Sequence, residues 1–487
     1  MIARRVRAEL RPDPARVIAQ LFLPGEDRQL APSRASRIVG RVMGLPEAEV
    51  EELAAGLLRD FGGRHHEYRE LLRRHALLVS AHVEETRELT TARTLLLGAS
   101  FTAEYATEGA ALCNPSAVLH PSQDGLAAGQ ARVAVSLRGI GEGHISSIGF
   151  CSAVVGPGAQ WTFEPRRLPV AVAATTPARW RREHLRAVLA GQGNLDELAE
   201  AVLRALPADA AGTDLERVLA QAPPGLLTRP GSAATADLLR TTVAAAYRAV
   251  FAAGSDLGQR VLAPAADEER HGMEDARFTR FAADDGTVEY RATYTAYDGQ
   301  RIAPRLLISP DLRVFHAHRL AGTAARNKGM ALFPRTVRGR YLALCRSDGE
   351  RTSVASSADG YLWGQPAVVQ EPAEPWEMVQ VGNCGPPIET DRGWLVLTHG
   401  VGPMRVYVMG ALLLDLADPT RVIGYSPRPV LSPAPGEHDG YVPNVVYSCG
   451  AVLHDGLVWI PYGVDDARIE VAYAPLGELL ASLSSVS

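Results

Sequence analysis

Five stretches of the chain repeat one pattern: a short turn-ending block, a few residues, then an alternating strand that finishes on a polar or charged group. They run from Cys113-Asn114-Pro115-Ser116 to Arg138, from Gly272-Met273-Glu274-Asp275-Ala276-Arg277 to Asp298, and from Gly329-Met330-Ala331-Leu332-Phe333-Pro334 to Arg346. The last two run from Gly382-Asn383-Cys384-Gly385-Pro386-Pro387 to His399, and from Val442-Pro443-Asn444-Val445-Val446 to Asp466. The last four recur at roughly 50–60 residues, a period at which repeated four-stranded units form propeller blades. The expectation is a mainly β chain, a five-bladed β-propeller whose inner strands gather Arg138, Asp275, Lys328, Arg346, His399 and Asp466 around one funnel. Acids among several cations suit an enzyme better than a scaffold.

The chain has 487 residues, and a length prior alone would divide it into about three domains. Its 46% hydrophobic content gives it ample core. A net charge of −5 argues against a nucleic-acid or membrane surface as the main partner. The N-terminus, Met1-Ile2-Ala3-Arg4-Arg5-Val6-Arg7, has no apolar run behind it, so no secretory leader is read, and a cytoplasmic protein is expected. Cys113, Cys151, Cys345, Cys384 and Cys449 are odd in number and lack paired spacing, which favours buried reduced thiols. His65-His66 and His316-x-His318 have no convincing third ligand, so no metal is expected.

Texture divides the chain further. Residues 1–108 read as mostly helical: Pro46 and acids open one helix that Gly62-Gly63 closes, with Leu53, Leu57, Leu58 and Phe61 as its apolar stripe. A second helical run spans about 67–88, with Leu71, Leu72, Leu77, Leu78 and Val83 at helical spacing. Before them, 6–10 and 17–21 read as short strands. Residues 109–487 read as the propeller, with Ala131–Leu137 and Leu457–Ile460 as half-buried strands. An Ala/Leu/Arg-rich stretch at about 177–254 interrupts it as a helical insertion between the first two blades.

Gly272-x-Glu274-Asp275-x-Arg277, Tyr294-Thr295-Ala296-Tyr297-Asp298 and Leu332-Phe333-Pro334 resemble the motifs of glycoside hydrolase family 130. So do Gly393-Trp394-Leu395-x-x-x-His399-Gly400, Leu413-Leu414-Asp415-Leu416 and Pro443-Asn444-Val445-Val446. The resemblance covers 114–472 apart from the insertion, and several ordered motifs make it specific. That family holds β-mannoside phosphorylases and related β-mannosidases on five-bladed propellers.

The resemblance implies an inverting phosphorylase that turns a β-mannoside and phosphate into α-mannose 1-phosphate and a shortened acceptor. Inorganic phosphate is then the co-substrate, with no other cofactor. It makes Asp275 the proton donor, acting through a sugar hydroxyl, and Arg138, Lys328, Arg346 and His399 the phosphate-binding residues. Asn114, His144, Asp298, Asp466 and Glu389 become substrate-binding candidates. The chemistry agrees: glycoside cleavage needs a proton for the leaving oxygen, and a phosphate nucleophile needs fixed cations rather than a second carboxylate. Glu274 and Asp275, adjacent on a strand, should face opposite sides and form no dyad. Glu389 stands where many phosphorylases carry lysine, which favours the alternative of an inverting β-mannosidase; Cys345 beside Arg346 is also an unusual neighbour. A second alternative is a non-catalytic carbohydrate-binding propeller, against which the intact Asp275 speaks. The expected partners are a β-mannoside oligosaccharide and phosphate, neither nucleic acid nor membrane, and further copies of the chain in a homo-oligomer. Trp363, Trp376 and Trp394 are expected in packing more than in sugar stacking.

Overall fold

A computed structural model describes residues 2–24, 33–79, 89–436 and 439–486. The chain is mainly β and divides into two compact units, one of Met1–Pro12, Ala110–Arg166 and Ala173–Ser487, the other of Asp13–Gly109 and Arg167–Val172. No helix among the described residues is long and apolar enough to cross a membrane.

The larger unit is a succession of antiparallel strand sets. Ala111–Leu119, Ala131–Ile140 and Ser146–Gly156 pair in order, and a parallel contact of Gly272 with Ser146 carries the sheet on. It continues through Gly272–Ala282, Val288–Tyr297, Ile302–Ser309 and Val314–Arg319. A set of Ala331–Leu332, Tyr341–Cys345, Thr352–Ser357 and Ala367–Gln370 follows, then one of Gln380–Asn383, Gly393–Val401, Tyr407–Leu414 and Val422–Tyr425. The last joins Val446–Tyr447, Leu457–Val464 and Arg468–Pro475 to the N-terminal strand Arg4–Leu10, while the short strand Ser484–Ser485 pairs with Val422–Tyr425 of the preceding set.

Gly393–Val401 and Leu457–Val464 are buried on both faces, not half-buried. Along Leu457–Val464, Val458, Ile460, Tyr462 and Val464 pack with Leu395, Leu397, Met409 and Leu413 of the preceding set. Trp459, between them, enters a second core with Val133, Val135, Leu137 and Cys151. Phe333, Leu344 and Val354 pack against Trp394, Val396 and Leu412 in the same manner. On Ala131–Ile140 small residues, Ala134 and Ser136, occupy the alternate face and are equally buried, so that stretch has no solvent face. The five cysteines are free and buried. Trp363 and Trp394 are core residues, and Trp376 lies across Gly400 and Gly410, where a Cβ would stand 2.5 and 2.6 Å from its ring.

Within 177–254 lie the helices Arg182–Gly191, Glu197–Ala205, Gly212–Ala220, Pro224–Leu227 and Ser232–Ala244. Leu185, Leu189, Leu203, Leu215 and Leu239 form their shared core. The segment is flanked by the strands Ala174–Pro177 and Tyr247–Val250, which pair with each other.

In the smaller unit, Val17–Leu21 pairs with Thr102–Ala106, beside helices Arg34–Gly44, Glu47–Phe61, Tyr68–Val79 and Thr91–Ser100. Ser33 caps the first helix and Thr90 the last, each accepting from a backbone N–H of the first turn. Of the expected stripe on Glu47–Phe61, Leu57, Leu58 and Phe61 pack partly buried beside the fully buried Val50 and Ala54, whereas Leu53 is exposed. On Tyr68–Val79 the inward face is Tyr68, Leu72, His75, Ala76 and Val79, with Leu77 and Leu78 outward. Val83 and the rest of 80–88 lie outside the described residues.

The strand that starts at Gly272 is fixed at its root by a buried charge. Glu269 and Arg305, both fully buried, are 2.8 Å apart. Glu269 also accepts from the Tyr247 hydroxyl at 3.0 Å, from the Tyr294 hydroxyl, and from the Ala265 and Ala266 amides at 2.9 and 3.1 Å. One carboxylate thereby ties three strands to the approach of Gly272–Ala282. Removing one partner of such a pair leaves an uncompensated buried charge. Glu269→Ala should therefore lower stability by about 3–5 kcal/mol, read from the shift of the urea midpoint at constant slope.

Candidate active site

Two bulges, on two strands of one sheet, bring the central groups together. On Gly272–Ala282 the pairing with Val288–Tyr297 slips between Glu274 and Arg277, and Asp275 takes a left-handed backbone with φ 56°. On Ala111–Leu119 it slips between Cys113 and Ser116, and Asn114 has φ 49°. Aspartate and asparagine are the residues besides glycine that most readily adopt this conformation. The Asn114 amide donates to the Asp275 carboxylate.

The bulge overturns the expectation for Glu274 and Asp275. Strict alternation would send them to opposite faces, but both reach the Arg138 guanidinium. Nη2 donates to Glu274 Oε1 at 2.9 Å, Nη1 to Asp275 Oδ1 at 3.1 Å, and Nε to Ser146 Oγ at 2.9 Å. The Lys328 ammonium pairs with the other oxygen of Glu274. Arg277, buried behind them, donates to the carbonyls of Asp275 and Cys384 at 2.8 Å and to the Tyr447 hydroxyl at 2.9 Å.

Arg346 Nη1 meets His399 Nε2 at 2.9 Å. His399 is buried, edge-on to Tyr447 with centroids 4.9 Å apart and stacked on Tyr407 at 6.1 Å. Burial, then the charges of Arg346 and Arg277, holds its pKa well below the ordinary value. His399 is thus a neutral imidazole whose lone pair faces Arg346, not the cation expected. Gly382 leaves room for this pair, since a Cβ there would stand 2.6 Å from the imidazole.

Asp466 sits in the turn after Leu457–Val464, where Asp465 and Asp466 both have positive φ. Gly463 on the same strand lies against Cys113 and Asn114, and the charges of Asp466, Arg138 and Asp275 act on one another. His144, at the tip of the hairpin after Ala131–Ile140, bonds the Tyr441 hydroxyl at 2.6 Å.

Two expected residues stand apart. Glu389 pairs with Arg335 through both oxygens, at 2.6 and 2.9 Å, in a partly exposed fork. It lies opposite Trp394 on Gly393–Val401, five positions from His399, and so about 16 Å away along the strand. The resemblance suggested a site role; the pairing of Ile388–Thr390 with the start of Gly393–Val401 places Glu389 at the other end of that strand. Asp298 accepts from the Gln300 and Arg301 amides at 2.8 and 2.6 Å, which makes it a turn-former at the end of Val288–Tyr297. Glu274, Arg277, Tyr407 and Tyr447 are neighbours of the site that strand periodicity did not bring forward. The available signal was the Asx residue recurring in the repeat blocks, Asn114, Asp275 and Asn444, all with positive φ.

The two central acids differ in state. Burial alone would raise the Asp275 pKa, but Arg138, then Arg277 and Lys328, and the Asn114 amide hold it well below the carboxylate range. Burial pushes Asp466 up to about 6, with Arg138 opposing and Asp275 and Asp465 adding to the rise. Its folded value exceeds the 3.8 of an ordinary aspartate, so its contribution to stability is intact below that value and is lost as pH rises toward 6. Asp466→Asn should accordingly stabilise the chain at about pH 7.5, by on the order of 2 kcal/mol, and change it little at about pH 3.5. Denaturant titrations at both pH values check the sign. Asp275→Asn keeps the volume and one acceptor while removing the acid. It should reduce turnover by at least about a thousandfold with an unchanged circular dichroism spectrum.

Residues 257–485 match the family described as beta-1,4-mannooligosaccharide phosphorylase; they contain Asp275, Lys328, Arg346, His399 and Asp466, while Asn114 and Arg138 precede them. Over 228 residues the chain is 33% identical to a 1,2-beta-oligomannan phosphorylase of Thermoanaerobacter sp. (strain X514), covering 46% of this chain and 75% of that protein. A beta-1,2-mannobiose phosphorylase of the same organism is 35% identical over 211 residues, 42% of this chain and 67% of the relative. Among solved structures, the beta-1,2-mannobiose phosphorylase of Listeria innocua in complex with beta-1,2-mannobiose aligns with a TM-score of 0.45 and 22% identity, over 78% of this chain and 92% of that one. The chain belongs to glycoside hydrolase family 130.

Proposed function

We propose that the protein is an inverting glycoside phosphorylase that cleaves β-mannosides with phosphate, releasing α-mannose 1-phosphate and a shortened acceptor. The observation that carries this reading is the convergence of Arg138 and Lys328 on the Glu274–Asp275 pair while Glu389 is spent on Arg335. The acid that would favour water as nucleophile is away from the cluster, and the cations that suit a phosphate are in it. Relatedness to a 1,2-beta-oligomannan phosphorylase and a beta-1,2-mannobiose phosphorylase favours β-1,2-linked substrates.

Asp275 is ionised in the free site, yet a glycosidic oxygen needs a proton. An arriving phosphate supplies the change. Its negative charge next to Asp275 raises that carboxyl, and it competes for the guanidinium and ammonium that hold it down. Proton uptake by Asp275 then accompanies phosphate binding, and the acid is protonated when the nucleophile is in place. A single displacement by phosphate from the face opposite the leaving sugar inverts the anomeric centre.

The face-to-face packing of successive strand sets, with the N-terminal strand Arg4–Leu10 completing the set of Leu457–Val464 and Arg468–Pro475, supports a five-bladed propeller with the helical stretch 177–254 inserted between its first two blades. We take 1–108 to be an accessory region, apart from Arg4–Leu10, which pairs within the β unit. We take the protein to be a cytoplasmic homo-oligomer, the assembly that fits the exposed Leu78.

β-1,2-Mannobiose incubated with and without phosphate tests the activity, with α-mannose 1-phosphate and free mannose quantified. Product should require phosphate; mannose released equally fast without it would overturn the reading. Arg346→Ala should raise KM for phosphate by about tenfold or more, the worth of a charged hydrogen bond, with a smaller effect on KM for mannobiose. Light scattering should give a mass above that of one chain.

A further inference from the structure

Two hairpins of the β unit are built alike, atom for atom in their backbone bonds. In Gly141–Ile145 the Gly141 amide donates to Ile145 O at 3.0 Å, His144 to Gly141 O at 3.1 Å and Ile145 to Glu142 O at 3.4 Å. In Gly402–Val406 the Gly402 amide donates to Val406 O at 3.0 Å, Arg405 to Gly402 O at 3.1 Å and Val406 to Pro403 O at 3.4 Å. The third and fourth residues of each are left-handed: Gly143 and His144 at 66° and 60°, Met404 and Arg405 at 58° and 55°. Each hairpin joins the two long strands of its set and follows a strand that carries a site residue, Arg138 in one and His399 in the other.

The residue choice differs where the strain is greatest. Gly143 fills the third position at no steric cost, whereas Met404 fills it with a backbone that a long side chain disfavours. Its side chain is 86% exposed, so core packing gives nothing in return. Strain and an exposed apolar side chain together mark a residue kept for what it touches from outside. The next residue, Arg405, donates to the Tyr407 hydroxyl at 3.0 Å, and Tyr407 stacks on His399. The series Arg346, His399, Tyr407, Arg405, Met404 therefore runs from the part-buried Arg346 and the buried His399 outward to solvent.

We propose that Met404 and Arg405 form a contact site for the acceptor sugar, the hexose that leaves when phosphate attacks. This rests on the phosphorylase reading. Phosphate belongs with the Arg346–His399 pair, and the departing sugar belongs on the solvent side, where the thioether can lie against the C–H face of a pyranose and the guanidinium can donate to its hydroxyls. No new bond-making step is involved; the two side chains set which acceptor is held and how well.

Synthesis from α-mannose 1-phosphate and mannose tests this by separating donor from acceptor kinetics. Met404→Gly relieves the strained backbone, so it should fold at least as well as the parent chain. It and Arg405→Ala should each raise KM for mannose by about tenfold while KM for α-mannose 1-phosphate stays within about twofold, and Met404→Leu should restore the parent value. Unchanged acceptor constants in active variants overturn the assignment, as do equal rises in donor and acceptor constants. Loss of oligomer mass with unchanged constants also overturns it, identifying the tip as a contact between copies. A parent chain without phosphate-dependent turnover overturns the phosphorylase reading instead, and the acceptor site falls with it.

Discussion

The forked contact of Arg138 with Glu274 and Asp275 is the interaction on which the site depends, and it exists because one residue is left-handed. Without the bulge at Asp275, one of two neighbouring carboxylates would face away. With it, both lie within 3.1 Å of a single guanidinium. The register that permits this is fixed two residues earlier. Gly272 has φ 146°, and a Cβ there would come within 3.0 Å of Ser146, so only glycine lets the second strand set abut the first. Ser146 in turn binds Nε of Arg138. A turn glycine, a serine and a bulge together aim one arginine at two acids.

Burying so many charges costs desolvation free energy, which paired geometry offsets and seldom exceeds. That cost is better explained by chemistry than by stability. Asp275 and Asp466 feel the same arginine, yet one is held low and the other rises to about 6. The difference follows from how many cations each meets: Asp275 has Arg138, Arg277 and Lys328, whereas for Asp466 only Arg138 opposes the effect of burial. A site that holds ionised and protonable carboxyls side by side can respond to an incoming anion by moving a proton. His399, neutral beside Arg346, adds hydrogen-bonding capacity without a further positive charge.

Much of this was legible in the chain. Repeat spacing and period-two alternation indicated antiparallel sets, and the ends of those repeats named Arg138, Lys328, Arg346 and His399. The strands at 6–10 and 17–21 and the helix closed by Gly62-Gly63 are present. What escaped were departures from regularity. Alternation assumes an unbroken pleat, so it misassigned Glu274, whose direction a bulge decides. It also took Ala131–Leu137 to be half-buried, whereas Ala134 and Ser136 on its alternate face are buried. Glu389 entered through the resemblance, which carries no information on which end of a strand the residue occupies. Its bidentate fork to Arg335 is a long-range contact that no local pattern encodes.

The helical stretch raises a topological question that sheet order answers. About seventy residues enter and leave the β unit between Ala174–Pro177 and Tyr247–Val250, and these strands pair directly, with Pro177 opposite Tyr247. The excursion therefore begins and ends at one place, and its closure disturbs no other register. That place is the sheet's far edge, beyond Val314–Arg319, Ile302–Ser309 and Val288–Tyr297 as counted from the strand of Asp275. The helices have their own core around Leu185, Leu203 and Leu239. Ties nevertheless join this stretch to the sheet: Arg181 pairs with Asp359, Arg305 donates to the Ala245 carbonyl, and Glu269 binds Tyr247 at the edge strand and, through Ala265 and Ala266, the segment leading into Gly272. A change that moves Tyr247 can reach the strand of Asp275 through Glu269.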